Sequence, residues 1–327
     1  MEQHPDLARA VALWDEGRQD EAIPLIARHA DLGDPDAMFA LADIYWQGAY
    51  APRDGALALG LFRQASNAGH AVSGRAYTNL LANGAGGVRD WPQAMARLRF
   101  EAQSDSRRAH MLRLIEAMPL TPTGFVATVP RGQRICERPE ILHFQHLFTP
   151  EECDYLVEVA EPDLAPAMVM NSAGQAVRDP VRTADGFAFH ILVEDPATHA
   201  LNRRLAAASN TRHEQGEPLW VLRYQPGQEY RPHLDAIPGF TNQRILTALV
   251  YLNDDYEGGA TLFTKAGVEV KGRKGDAIVF RNTIEGSRAD PMSEHAGMPV
   301  TSGTKYLASR WICERRHVPR PDEAAGR

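Results

Sequence analysis

Cysteine, lysine and long apolar runs are all scarce in this chain of 327 residues. The cysteines are Cys136, Cys153 and Cys313; they lie far apart, form no C-x-x-C pair and are odd in number. That argues against a disulfide framework and fits a reducing compartment, so a cytoplasmic location is expected. No apolar run approaches the roughly 18 residues that a membrane-spanning helix needs, and no membrane partner is expected. The opening stretch, MEQHPDLARA, has neither a basic segment nor an apolar one, which argues against a secretory signal. A basic surplus is missing as well: the formal net charge is −7, so nucleic acid is not an expected partner. Lysine occurs only as Lys265, Lys271, Lys274 and Lys305. What remains is ordinary for a globular protein, 44% hydrophobic and 24% charged, at a length that allows two domains.

The first third is rich in alanine, leucine and arginine, which favours helix. It also repeats. Shifted by 36 residues, GDPDAMFALADIYWQGA (33–49) lies over GHAVSGRAYTNLLANGA (69–85), with Gly33 on Gly69, Ala40 on Ala76, Gly48 on Gly84 and Ala49 on Ala85. The match continues with Arg53-Asp54 over Arg89-Asp90. Such a period corresponds to one helical hairpin per unit, with small residues allowing close helix packing and a glycine ending each first helix. AVALWDEGRQDEAIPLIARHA (10–30) reads as a shorter hairpin before these two. The segment resembles the Sel-one-like relatives of tetratricopeptide repeats. That resemblance implies an array that binds a protein or peptide along one face; a helical cap that only stabilises its neighbour is equally open. Trp14, Tyr45, Trp46 and Trp91 are expected in its core. A helical repeat domain is therefore expected over 1–118. MPLTPTGFVATVPRGQR (118–134) then breaks the pattern with prolines and glycines, and a linker is expected over 119–139.

Beyond it, TPEECDYLVEVAE (149–161) and DPATHALNRRLAAASN (195–210) read as helices capped by Thr149 and Asp195. Short β-rich runs follow, separated by turn residues: LWVLRYQPG, ILTALVYLND, ATLF, GVEVK, DAIVF and TKYLASRWIC. Many short strands with frequent turns indicate a sandwich or jelly roll. Alternation puts Lys305, Leu307, Ser309 and Trp311 on one face of the last strand, Trp220, Leu222 and Tyr224 on one face of the first, and Ile245, Thr247, Leu249 and Tyr251 on one face of another. A buried, unpaired ammonium is costly. Either these faces meet solvent or an anion is held inside.

QEYRPHLDAIPGF (228–240) places His233 and Asp235 two positions apart, so a strand points both to one side. His295, at the start of a later strand, offers a third donor. Two imidazoles and one carboxylate leave other positions of a metal open, as in the facial triad of non-haem Fe(II). The same set suits Zn(II) equally well on residue types alone. His143, His146 and His190 read as surface or packing residues.

Residues 140–315 resemble the prolyl 4-hydroxylase branch of the 2-oxoglutarate- and Fe(II)-dependent dioxygenases. The likeness is carried in order by VRTADG (181–186), RYQPGQEYRPHLD, RILTALVYLND, EGGATLF, GDAIVF and HAGMPVTSGTKYLASRW, with Ala184 standing where the family has serine. It implies an α+β chain of two domains, the second a double-stranded β-helix (jelly roll) over 140–318, followed by a polar tail over 319–327. It implies Fe(II) on His233, Asp235 and His295, with O2 and 2-oxoglutarate as co-substrates and ascorbate as reductant. The far carboxylate of 2-oxoglutarate would meet Lys305, with Tyr224, Thr261 and Tyr251 beside it. Arg244, Trp311 and Arg182 would contact substrate. The expected activity is hydroxylation of a peptidyl proline, with the repeats recruiting the protein substrate. Hydroxylation of another residue or of a free amino acid, and a non-catalytic metal-stabilised binding module, are the competing readings.

Overall fold

The computed structural model describes residues 5–170 and 176–317, and the tail expected over 319–327 lies outside them. Helices come first: α1 (Pro5–Asp15), α2 (Gln19–Asp31), α3 (Pro35–Gln47), α4 (Gly55–Asn67), α5 (Ala71–Asn83), α6 (Trp91–Glu101) and α7 (Ser106–Ala117). Each packs on the next in an antiparallel array. Carboxylates start most of them: Asp34 accepts from the amide of Ala37, Asp54 from Ala56 and Leu57, and Asp90 from Gln93, each satisfying an orphan donor of the first turn. Gly48 and Gly84 end α3 and α5 with φ of 72° and 81°. A Cβ there would come within 2.7 Å of Arg53 Cβ and 2.9 Å of Arg89 Cβ. The repeated Gly–Arg spacing thus records a close approach, and each arginine then lies over a tryptophan, Trp46 or Trp91. Trp46 and Trp91 are buried, and Trp14 and Tyr45 pack partly buried against the same core.

The rest is strand-rich. The strands are β1 (Gln133–Cys136), β2 (Ile141–Phe144), β3 (Ala165–Pro166), β4 (Met168–Met170), β5 (Ala176–Arg178), β6 (Asp185–Phe189), β7 (Leu219–Tyr224), β8 (Tyr230–His233), β9 (Arg244–Tyr251), β10 (Glu257–Gly258), β11 (Thr261–Phe263), β12 (Val268–Val270), β13 (Ala277–Arg281), β14 (His295–Gly297), β15 (Val300–Ser302) and β16 (Lys305–Cys313). Helices α8 (Pro150–Ala160) and α9 (Pro196–Ala208) interrupt them. An eight-stranded antiparallel sheet runs β1-β2-β13-β9-β16-β7-β6-β3, and a four-stranded one runs β12-β11-β14-β8. This is the jelly-roll arrangement, and the chain as a whole is α+β. Alternation sorts its side chains: Leu249, Tyr251, Phe280 and Leu307 pack between the sheets, while Ala248, Val250, Ala308 and Ile312 face the helices.

Two expectations change. β1 falls inside the stretch read as linker and pairs with β2 at the sheet edge. The preceding residues are held too, because Arg89 donates to the carbonyls of Thr123 and Gly124. Proline and glycine ended the helices without freeing the chain. Ile245 also leaves its expected face. Ile312 opposes Leu246 and Cys313 opposes Arg244, so Ile245 is the extra residue of a β-bulge, and it packs on the helix side.

α8 and α9 are tied by a buried ion pair. Arg204 Nη2 lies 2.8 Å from Glu152 Oε1, and its other nitrogen meets Oε2 and the Leu147 carbonyl. Glu152 also closes the capping box with Thr149. Removing one partner of such a pair leaves a buried charge uncompensated, at about 3–5 kcal/mol. Arg204→Met is expected to lower the unfolding free energy by that amount in urea titration.

Candidate active site

β8 ends on His233, the following loop carries Asp235, and β14 begins on His295; β8 and β14 are neighbours, with His233 opposite His295. The register between them slips: Tyr230 opposes Gly297, so three steps on β8 match two on β14. This bulge turns Tyr230 and His233 to the same side, and their rings stack at 3.5 Å. His233 Nε2 is 3.6 Å from Asp235 Oδ1, and His295 Nε2 is 3.6 Å from Asp235 Oδ2. One donor atom from each of the three lies within 4.8 Å of the others.

The outward nitrogens fix the tautomers. His233 Nδ1 donates to the Arg231 carbonyl at 2.8 Å and His295 Nδ1 to the Ser293 carbonyl at 2.9 Å. Each Nε2 is left with a lone pair toward Asp235, and His233 Nε2 is buried without a hydrogen-bond partner. Burial works to raise the Asp235 carboxyl, but positive charge at the His295 and His233 positions, the charge a bound cation would supply, and the Thr247 donor hold it well below the usual carboxylate range. Burial lowers His295 and keeps it neutral. A carboxylate and two imidazole nitrogens, one of them orphaned, converging on one point fit a divalent metal with an open side. Thr247 donates to Asp235 Oδ2 at 2.6 Å and receives from Asn282 at 2.8 Å.

Across the same cleft lies Lys305. The cleft is lined by Tyr224, Leu249, Thr261, Leu307, Ser309 and Trp311 as well as by the metal-type donors. Lys305 is 2% exposed. Its Nζ donates to the Gly259 carbonyl at 2.6 Å and lies 5.4, 5.7 and 6.0 Å from the ring centres of Tyr224, Tyr251 and Tyr256. No carboxylate pairs with it among the described residues. Burial, helped by Lys271, pulls the ammonium down to about 7. Thr261 lines the cleft, but Tyr251 does not. Its hydroxyl lies 3.1 Å from Thr261 Oγ1 and 3.2 Å from the Val270 carbonyl. Tyr251 holds Thr261 from behind with its hydroxyl and presents its ring to Lys305.

The β9 bulge turns Arg244 toward Trp311, with its guanidinium 4.2 Å from the ring centre. Arg244 is held by a bidentate pair with Glu217, at 2.5 and 2.7 Å. Arg182 lies over the rings of Trp220 and Tyr230 at the border of the cleft. Sequence reasoning missed Thr247, Asn282 and Glu217 as partners. Thr247 had a signal, since it sits on the same strand face as Leu249. Asn282 and Glu217 lie in stretches without a pattern. A larger groove of about 360 Å³ lies elsewhere, on the outer face beside Leu142, Ile245 and Val279, and brings no metal-type donors together.

Jelly roll, mixed nitrogen and oxygen donors with an open side, and a buried ammonium across the cleft define a metal-dependent enzyme that handles an anionic co-substrate. Residues 219–313 match the 2OG-Fe(II) oxygenase superfamily. Prolyl 4-hydroxylase 1 of Arabidopsis thaliana is 36% identical over 197 residues, covering 54% of this chain and 70% of that protein. A viral collagen prolyl hydroxylase from Paramecium Bursaria Chlorella virus-1 is 26% identical, with a TM-score of 0.43 over 55% of this chain and 98% of that one. A Sel1 repeat protein from Oxalobacter formigenes is 22% identical, with a TM-score of 0.29 over 32% of this chain and 45% of that one. The chain belongs to the 2OG-Fe(II) oxygenases, in their prolyl 4-hydroxylase family. The family implies Fe(II), 2-oxoglutarate and O2.

Groups that orient metal ligands typically contribute 10–100-fold to metal affinity. Thr247→Val keeps the side-chain shape and removes the bond to Asp235. It is expected to weaken Mn(II) binding by about 10–100-fold in calorimetric titration, while His233→Ala abolishes specific binding.

Proposed function

We propose that this chain hydroxylates proline residues in a peptide or protein, with His233, Asp235 and His295 holding Fe(II), Lys305 holding the far carboxylate of 2-oxoglutarate, and ascorbate keeping the iron ferrous. The observation that carries this reading is the buried ammonium of Lys305 in the cleft that the three metal-type donors line. When bound, the iron supplies O2 activation coupled to oxidative decarboxylation of 2-oxoglutarate to succinate.

The chain's own residues do the rest. Lys305 and Thr261 orient the co-substrate, and Tyr224 presents its ring to the same ammonium. Its phenol is raised by burial and stays protonated as a donor. Leu249, Leu307 and Trp311 exclude water from the cleft. Arg244 is placed by Glu217 and Trp311 to meet the backbone or a polar group of the incoming peptide, with Arg182 at the opposite border. The helical array recruits the protein substrate, and the reaction runs in the cytoplasm.

The direct test is succinate release and product mass with proline-containing peptides and free proline. Wild type is expected to add one oxygen atom to the peptide and release succinate in step; His233→Ala is expected to do neither. Product from free proline alone would move the substrate class to amino acids.

A charge-assisted hydrogen bond contributes roughly 1.5–3 kcal/mol, so Lys305→Ala is expected to weaken 2-oxoglutarate binding by about ten- to a hundredfold. A pH dependence follows from the lysine's environment. In the ligand-free cleft Lys305 loses its proton at about 7, and only the ammonium pairs with a carboxylate. Above that pH, binding must take up a proton. The affinity of Mn(II)-loaded protein for 2-oxoglutarate is expected to be level below about pH 6 and to fall by up to about tenfold per unit above pH 7. In Lys305→Ala this slope is expected to vanish.

A further inference from the structure

Two asparagines on α5 make contacts that the oxygenase reaction does not use. Asn79 and Asn83 are four residues apart and share a helix face. Asn79 Nδ2 donates to the Leu192 carbonyl and Asn83 Nδ2 to the Ile191 carbonyl, each at 2.9 Å. Two side-chain amides one helical turn apart therefore grip consecutive main-chain carbonyls in the catalytic domain. Asn79 is 6% exposed, so this is an interior contact.

The gripped segment leads straight into α9, which packs against α5 and α7. Ala197, Ala200 and Leu201 of α9 have no exposed surface; the two alanines let the helices approach closely and the leucine fills the space between them. At the same junction Trp91 of the array lies against His199, with ring centres 6.4 Å apart. Phe125 is covered by Arg203 of α9 at 4.0 Å and by Arg89 of the array at 5.2 Å. Backbone capture, helix packing and aromatic clamping thus join the same two parts of the chain.

We propose that the α5–α7 side of the array is a recognition surface whose partner is the chain's own catalytic domain, read through the main chain of Ile191 and Leu192 and the apolar face of α9. The array is a clamp acting in cis. The face of α5–α7 that meets α9 is closed to external partners. The clamp borders the reaction cleft indirectly. Glu194, two residues after the gripped segment, accepts from His199 Nδ1 at 2.6 Å and lies 3.3 Å from His213 Nε2. The turn of His213 leads to Glu217, the partner of Arg244. The proposal stands whatever residue the enzyme hydroxylates.

The test is native-state hydrogen exchange on the full chain in rising denaturant. The wild-type amides of α5–α7 and of α9 are expected to open together, in one unit. Asn79→Ala/Asn83→Ala is expected to separate them, lowering protection in α5–α7 by about tenfold or more relative to β9 and β13. Arg99→Ala, which breaks an exposed pair with Glu116 between α6 and α7, is expected to leave them joined. Should the double variant not accumulate as folded protein, Asn83→Ala alone is measured in the same way. Separate opening of α5–α7 and α9 in the wild type overturns the proposal. So does a variant in which both sets keep their shared protection, or separation by Arg99→Ala as well.

Discussion

Asp235 puts a carboxylate at a point where water scarcely reaches, and the surrounding fold is arranged to keep it ionised. Burial alone would drive it to the neutral acid. Positive charge at the two histidine positions and the Thr247 hydroxyl reverse that tendency, and Asn282 in turn fixes the threonine. The two histidines commit their outer nitrogens to backbone carbonyls. The group as it stands is short of positive charge, which a divalent cation supplies. A loop, two neighbouring strands of the small sheet and a strand of the large sheet must all be in place for this, so the closed jelly roll is a condition of the site.

Lys305 is the second costly group. A buried ammonium with only a carbonyl as partner is a burden on the folded protein, and three tyrosine rings offset part of it through their negative faces. Gly259 is fitted to the same purpose: a Cβ there would come within 3.1 Å of Lys305 Cδ. On the proposed function, a dicarboxylate paired with Lys305 would also bring donors to the metal side, and each of the two costly charges would be relieved by a ligand the reaction requires.

The stretches that could be read in advance are those where a single period holds. Alternation along β16 and β7 placed Lys305, Leu307, Ser309, Trp311 and Tyr224 on the cleft side, and the 36-residue period located the helical hairpins. The readings failed where the period is broken. The bulge at Ile245 sends that residue outward and Arg244 inward. Strict alternation would have put Arg244 on the outer face, and only the family likeness named it. The β8 bulge likewise brings Tyr230 onto His233, a contact that a regular strand forbids. Tyr251 lies on the face alternation gives it, with its hydroxyl on Thr261. Asn282 and Glu217 act through partners far away in sequence, and no local pattern encodes a contact of that kind. The proline-rich stretch after α7 looked free because turn residues mark the end of a helix and say nothing of what the chain meets next.

A comparison within the molecule shows why residue types alone do not define a metal centre. Glu194, His199 and His213 repeat the composition of the site, a carboxylate with two imidazoles, and are as deeply placed. Their spacing differs. His199 Nδ1 is 2.6 Å from Glu194 Oε1, a charge-assisted hydrogen bond with no room for an ion between the two atoms, whereas the corresponding separations around Asp235 are 3.6 Å. The surroundings differ as well. Arg310 donates to the His213 carbonyl and adds positive charge where a cation would sit. Burial, with His213 beside it, lowers His199 to about 3 and keeps it neutral. In the helix-bound cluster the carboxylate is already satisfied by protein donors, so the three residues join α9 to the turn before β7. Both clusters hold a low-lying carboxylate and an unpartnered imidazole nitrogen. The wider spacing around Asp235, and the guanidinium that Arg310 places beside the other cluster, separate a site that receives a ligand from a cluster that holds the fold.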